Sequence, residues 1–239
     1  MNEVRKSVII VAAGSGTRMG GPQPKQFQEL NGIPLAIYPG LAFRKFDPKI
    51  ELIYVIGIGT AQIWENLLRK FFPQGGWRLA MGGKTRYESV ANGIRSISDP
   101  ETLVAIHDGV RPFIDPKAIA HGFQSAFENR NAVFAVPVKD SLRVQKSNFS
   151  ESVDRNLYFQ VQTPQIFWQK DLSEIFQQPD NQKFTDDATV MELAGHLIIL
   201  VEGSYDNIKV TTPEDWALAD LILKRRRHNH SVMNQLDSI

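Results

Sequence analysis

Val8-Ile9-Ile10-Val11-Ala12-Ala13-Gly14 is an unbroken apolar run closed by a glycine. A strand with one wet face alternates apolar and polar residues. A run without alternation reads as a strand buried on both faces, as in the middle of a parallel sheet. Four further short apolar runs occur at 52–58, 103–106, 133–138 and 197–201. Between most of them the spacing turns helical, at 35–43, 61–72, 87–97 and 116–127. Strand and helix alternate, so the expected architecture is a Rossmann-like α/β domain: a mainly parallel, twisted sheet with helices on both faces.

Helix starts are legible as well. Thr85 and Glu88 have capping-box spacing. Asp115-Pro116 is an N-cap followed by proline at the first helical position. Thr212, Pro213 and Asp215 repeat both devices before a last helix expected to end near Lys224 to Arg227, where cations suit the dipole. One segment breaks the alternation. From Lys139 to Gln162 the pattern is extended, with turn-like residues at 146–151, and reads as a hairpin arm projecting from the sheet. A lone two-stranded arm is marginal in water, so a homodimer with exchanged arms is expected. Residues 1–227 form one domain that includes the arm at about 139–162. The polar tail 228–239 is expected to be flexible.

With 239 residues, 42% hydrophobic and 22% charged, the chain suits one soluble globular domain. The formal net charge of +1 carries no global attraction for nucleic acid or an anionic membrane. Any anion site must be assembled locally. The absence of cysteine excludes disulfides and thiolate metal sites and suits a reducing compartment. The N-terminus lacks a secretory pattern, and no apolar run approaches the ~20 residues of a membrane span. A cytoplasmic location is expected.

The loop after the first run is Ala12-Ala13-Gly14-Ser15-Gly16-Thr17-Arg18-Met19-Gly20. In open α/β sheets ligands bind beyond the carboxyl ends of the strands. Glycines allow close backbone approach, and successive N–H groups can cradle phosphate oxygens. Arg18 and Lys25 add cations suited to a nucleoside triphosphate. The dinucleotide fingerprint G-x-G-x-x-G fails, because the third glycine comes one position late at Gly20 and Pro22 and Pro24 interrupt any helix. Gly83-Lys84-Thr85 ends like a P-loop, but Arg78 stands where that motif needs its first glycine. A plain tight turn with a surface arginine is the competing reading of the loop.

Other constellations fall at strand ends. Gly82-Gly83-Lys84-Thr85-Arg86 and Ser89 form either a base-reading turn or only an N-capped helix start. Asp108, in His107-Asp108-Gly109-Val110-Arg111-Pro112, suits a divalent metal or a substrate hydroxyl. Arg111 suits a phosphate, or the two form an internal pair. His107 reads as structural. Lys209 lies in what reads as a short apolar strand, where an unpaired charge is costly. It is a candidate phosphate contact, or a lysine snorkelling at a sheet edge. Thr185 precedes a helix and serves the substrate or caps that helix. Zinc-ligand spacing and the G-x-S-x-G elbow are both absent from the sequence.

Nine pieces stand in order: AAGSGTRM at 12–19, PKQ at 24–26, GGKTRYESV at 82–90, HDGVRP at 107–112, PVKDSLR at 137–143, VDRNLY at 153–158, QTPQ at 162–165, TDDA at 185–188 and DNIKVT at 206–211. Together they resemble the 2-C-methyl-D-erythritol 4-phosphate cytidylyltransferase family of the non-mevalonate isoprenoid pathway, from Val8 to about Asp220. The resemblance implies CTP as co-substrate, with Mg²⁺, and a polyol phosphate acceptor. It implies that Arg18 and Lys25 hold the triphosphate while Lys25 and Lys209 stabilise charge at the α-phosphate. Ala12, Ala13, Gly14, Ser15, Gly16, Gly83, Arg86 and Ser89 would surround the cytidine nucleotide. Asp108, Gly109, Arg111, Thr163, Thr185 and Lys209 would face the acceptor, with Asp108 as the metal-ligand candidate. Ser141 and Arg155, on the arm, would reach the partner subunit's site. Gly109 stands where the family commonly has alanine, and Ser141 where it often has threonine. HDGVRPF is also similar to ribitol 5-phosphate cytidylyltransferases, but Asp154-Arg155 and PVKDSLR look more like the methylerythritol branch.

Overall fold

A computed structural model describes residues 4–14, 24–177, 184 and 186–236, the last eight by backbone alone. The opening run is β1 (Arg5–Ala12). A short ribbon, β2 (Glu29–Leu30) and β3 (Ile33–Pro34), leads into α1 (Ile37–Phe46), β4 (Glu51–Ile56), α2 (Ala61–Phe71) and β5 (Trp77–Met81). Then come α3 (Arg86–Arg95), β6 (Thr102–Asp108), α4 (Pro116–Asn129) and β7 (Asn131–Pro137). The arm carries β8 (Arg143–Gln145) and β9 (Ser150–Ser152). The chain closes with β10 (Phe159–Trp168), α5 (Gln169–Ile175), α6 (Asp187–Leu193), β11 (Leu200–Glu202) and α7 (Pro213–Leu236).

Seven strands form one sheet in the order β11-β7-β10-β6-β1-β4-β5. β1 pairs in parallel with both β4 and β6. The chain therefore runs outward from β1 through β4 to β5, then returns to the other side of β1. That reversal opens a crevice at the carboxyl ends of β1, β4 and β6, where ligands of such sheets bind. β10 is antiparallel to both neighbours, β6 and β7, because β7, the arm and β10 form one long hairpin. The expected arm is thus shorter than its sequence suggested: Phe159 already pairs with Pro137 in the main sheet. The separate ribbon β8–β9 stands apart at the hairpin's tip.

Alternate residues of β1 serve opposite layers. Val8, Ile10 and Ala12 join the core beneath α1, α2 and α4, while Ile9 joins the core beneath α3 and α5. Each fully buried aliphatic side chain of this kind contributes about 1.5–3 kcal/mol. A third cluster, including Val110, Phe113, Val210, Ala219 and Ile222, seats α7. Its start is fixed as the sequence implied: Asp215 Oδ2 accepts from the N–H groups of Thr211 and Thr212 at 2.8 and 2.9 Å. The helix does not stop near Arg227 but continues to Leu236. The cations at 224–227 thus lie mid-helix, where Lys224 and Arg225 pair with Asp220 and Asp206.

Candidate functional site

Two adjoining cavities open at the carboxyl ends of the strands. The first, of about 500 Å³, is lined by backbone from Ala12 to Gly14, by the turn at Gly83, and by Lys25, Arg86, Asp108 and Lys209. Its shape is set by close backbone approach. A Cβ on Gly82 would stand 2.4 Å from the Cβ of Ala13 and 3.1 Å from the Ile56 carbonyl, so only glycine lets the two loops touch. Gln26, 5% exposed, donates to the Gly14 carbonyl at 3.0 Å and ties the Lys25 turn to the first loop. Phe27 anchors the same turn on Trp64, with ring centroids 5.1 Å apart.

Ser89 lines this cavity and also braces the turn beside it. Its hydroxyl donates to the Thr85 carbonyl at 2.8 Å and accepts from the Gly83 N–H at 3.1 Å. That amide is therefore engaged within the loop, and Ser89 shapes the turn from beneath. Thr85 caps α3 by accepting from the Glu88 N–H at 3.1 Å, as its spacing implied, and the Glu88 carboxylate accepts from the Lys84 N–H at 2.5 Å.

The second cavity, of about 360 Å³, shares Arg86, Asp108 and Lys209 with the first and adds Arg111, Thr163 and Asp186. Asp108 is the hub. Lys209 Nζ lies 3.0 Å from its Oδ2, Arg111 Nε 3.3 Å from the same oxygen, and Arg86 Nε 3.6 Å from Oδ1. Burial pushes the Asp108 carboxyl up, but these three cations outweigh it and hold it well below the usual carboxylate range. Burial likewise lowers Arg111, against the pull of Asp108. Arg86 is buried too, yet the Asp187 carboxylate, joined by Asp108 and Asp186, raises it above an ordinary arginine.

Side chains strap the wall of the second cavity. The Asp108 N–H donates to Thr163 Oγ1 at 3.0 Å. Asn207, fully buried, donates to the Thr163 carbonyl at 2.8 Å, and Arg111 donates to the Asn207 carbonyl at 2.8 Å. Gln162 donates to the Ser204 carbonyl at 2.9 Å and accepts from its N–H at 3.3 Å. These bonds hold the segment carrying Lys209. It belongs to no strand, and the Lys209 side chain is 42% exposed and paired, not inserted in an apolar strand.

The fold thus gathers Ala12, Ala13, Gly14, Lys25, Gly83, Arg86, Ser89, Asp108 and Lys209 around one cavity, and Arg111 and Thr163 around its neighbour. Gly109 lies behind the wall: its N–H donates to the Val11 carbonyl at 2.9 Å, and a Cβ there would come within 3.0 Å of that oxygen. Ser141 and Arg155 line neither cavity; both are exposed at the base of the arm, where Arg155 donates to the Lys139 carbonyl. Ser15, Gly16, Arg18 and Thr185 lie outside the described residues. α6 is capped by Asp186, whose carboxylate accepts from the Thr189 N–H at 3.2 Å. His107 is fully buried and points away from both cavities, its Nε2–H on the Arg111 carbonyl at 3.0 Å; burial lowers its pKa to about 4.

Sequence reasoning missed Asp187, Gln26, Gln162 and Asn207. All four stand inside quoted motifs. Only Gln26 had a local signal, a polar residue beside a buried turn; the partners of Asp187, Gln162 and Asn207 lie 101, 42 and 44 positions away. Asp108 does not fit a resident metal: its carboxylate already faces three cations, and among the described residues no group of three carboxylate or imidazole side chains converges.

A family profile described as 2-C-methyl-D-erythritol 4-phosphate cytidylyltransferase matches residues 6–225. A relative of that name from Phocaeicola vulgatus is 38% identical over 220 residues, covering 92% of this chain and 100% of that protein. Another, from Bacillus velezensis, is 39% identical over 229 residues, with 94% and 98% covered. The solved 4-diphosphocytidyl-2C-methyl-D-erythritol synthase of Anaerococcus prevotii superposes with a TM-score of 0.80 at 28% identity, covering 92% of this chain and 98% of that one. The 2-C-methyl-D-erythritol 4-phosphate cytidylyltransferase of Thermus thermophilus gives 0.71 at 28%, with 91% and 98% covered.

Proposed function

The chain belongs to the 2-C-methyl-D-erythritol 4-phosphate cytidylyltransferase family, and from that premise we propose how its own residues divide the work. The reaction transfers CMP from CTP to 2-C-methyl-D-erythritol 4-phosphate, giving 4-diphosphocytidyl-2-C-methyl-D-erythritol and pyrophosphate. CTP occupies the first cavity, its phosphates over Ala12 to Gly14 and against Lys25. The loop with Ser15, Gly16 and Arg18 completes the triphosphate seat. The acceptor occupies the second cavity, against Arg111, Thr163 and Thr185. The observation that carries this reading is that Lys25 and Lys209, far apart in sequence, line one cavity with the glycine loop.

A phosphate oxygen of the acceptor attacks the α-phosphorus of CTP in line. The new P–O bond forms as the α–β bridging bond breaks, and pyrophosphate leaves with the bonding electrons. The nucleophile is already anionic, so no side chain need remove a proton. Positioning and charge stabilisation do the catalysis. Lys25 and Lys209 meet the charge on the α-phosphate. Asp108 holds Lys209 and Arg111 together on one carboxylate oxygen and so aims both. CTP enters as its Mg²⁺ complex, the cation screening phosphate charge and held mostly by the nucleotide itself.

The working form is a cytoplasmic homodimer in which Ser141 and Arg155 of each arm reach the other subunit's acceptor. Support comes from their exposure and from the apolar arm surface, where Phe149 and Leu157 are 59% and 77% exposed. A monomeric mass on sedimentation would remove the arm from the site. The activity itself is read by pyrophosphate release across a panel of acceptors and nucleotides. The expected result is turnover with CTP and 2-C-methyl-D-erythritol 4-phosphate; a preference for ribitol 5-phosphate overturns the acceptor assignment.

A further inference from the structure

Asp187 lines neither cavity, yet it grips a side chain that lines both. Its carboxylate takes Arg86 as a fork, Nη1 to Oδ1 and Nη2 to Oδ2, both at 2.7 Å. The two residues are 101 positions apart, and Asp187 is 1% exposed. The carboxylate is itself fixed. The Ala188 N–H donates to Gln165 Oε1 at 2.7 Å, and Gln165 donates to Asp186 at 3.1 Å, which pins the first turn of α6 to β10.

Arg86 is one of three side chains that line both cavities. A guanidinium has five N–H donors in one plane. Asp187 takes two, and the Nε edge faces Asp108 at 3.6 Å. Each terminal nitrogen keeps a further N–H for the seam between the cavities. A lysine there would be a swinging point charge, whereas a forked arginine is held in one plane. The acceptor phosphate and the α-phosphate are both anions, and the reaction needs them side by side.

We infer that Asp187 is a positioning residue for the transfer step: it aims Arg86 into the seam where the acceptor phosphate meets the α-phosphorus. This rests on the division of cavities given under Proposed function. In the transition state Arg86 meets oxygens of both groups. Asp187 fixes the angle at which it does so.

Guanidinium rescue tests the idea on the full-length protein with CTP and 2-C-methyl-D-erythritol 4-phosphate. Arg86→Ala is expected to lower turnover about 10²–10³-fold. Guanidinium chloride at millimolar concentration should restore part of it, saturably, beyond a potassium chloride control of equal ionic strength. Asp187→Asn alone should lower kcat by up to about 10²-fold with CTP KM nearly unchanged, since a misplaced group costs rate. In Arg86→Ala/Asp187→Asn the rescue should vanish, because nothing seats the added ion. If that variant does not fold, Arg86→Ala/Asp187→Ala replaces it; it likewise removes both charges and leaves no buried amide in place of the carboxylate. Wild-type kcat in folded Asp187→Asn, or equal rescue with and without Asp187, overturns the inference. An inactive wild type overturns the proposed function instead.

Discussion

The two cavities lie side by side on the same strand ends but are built from different materials. The first, proposed for the nucleotide, is shaped by closely packed backbone turns: Ala12 to Gly14, the Gly83 turn, and the contact that Gly82 permits with Ala13. The acceptor side is walled by paired side chains: Asp108 with Arg111 and Lys209, Arg86 with Asp187, and Asn207 with Thr163. Backbone is a fixed wall that recognises what every nucleotide shares. A web of charges is adjustable by single substitutions, which suits the half of the reaction where related enzymes differ in acceptor.

The largest expected effect falls on the two lysines. Lys25 lines the nucleotide cavity, whereas Lys209 lines both. Lys25→Ala and Lys209→Ala are each expected to cut turnover about 10²–10³-fold. The KM values should separate them. Lys25→Ala should weaken CTP alone, and Lys209→Ala both substrates. Steady-state kinetics with each substrate varied in turn decides this. Wild-type turnover in either variant would count against the proposed roles, and identical KM patterns would erase the distinction between the cavities.

A smaller, crossed effect is expected from one residue on each side. Gly82→Ala forces a Cβ against Ala13 and should cost about 1–3 kcal/mol of stability as overpacking. By parting the two loops it should raise the CTP KM and leave the acceptor KM in place. Asn207→Ala strips the Thr163 carbonyl of its donor, a loss of about 1–3 kcal/mol. It should raise the acceptor KM and leave CTP in place. Urea melts report the stability change and initial rates the two KM values. If each variant weakened both substrates equally, the cavities would be one site, not two.

The same difference in materials explains what could be read from sequence. Backbone sites announce themselves locally, because glycines, an apolar run and a nearby cation sit within a few residues. β1, its loop and Lys25 were legible for that reason. So were the helix caps at Thr85, Asp115 and Thr212, whose partners lie within four residues. A charge web has no local signature. Asp187 and Arg86 are 101 positions apart and Arg111 and Asn207 are 96 apart, so neither pairing had a spacing to betray it. Lys209 reaches both cavities, but its setting differs from the one expected: the apolar residues around it pack on α7 and Val110 instead of forming a strand. The end of the expected arm, 159–162, belongs to the main sheet, because an extended pattern looks alike in a free hairpin and in β10.

β6 runs beneath both cavities and ends on neighbours facing opposite ways, Asp108 into the cavities and His107 into the core. The smallest effect on activity is expected at His107. Held neutral by burial, it has a folded pKa of about 4 against an unfolded value near 6.5. Above pH 6.5 both states are neutral and its contribution is complete. Below that, the unfolded chain takes up a proton that the folded chain refuses, so stability falls through the window from 6.5 to 4, by up to about 3 kcal/mol. Urea midpoints at pH 7.5 and 5.0 should show the decline in the wild type and less of it in His107→Gln, whose amide can still donate to the Arg111 carbonyl. Turnover at pH 7.5 should be close to wild type in that variant, since imidazole takes no proton in the transfer. A folded His107→Gln enzyme with collapsed kcat would place a working histidine under the site and shift the burden of catalysis away from the cations of both cavities.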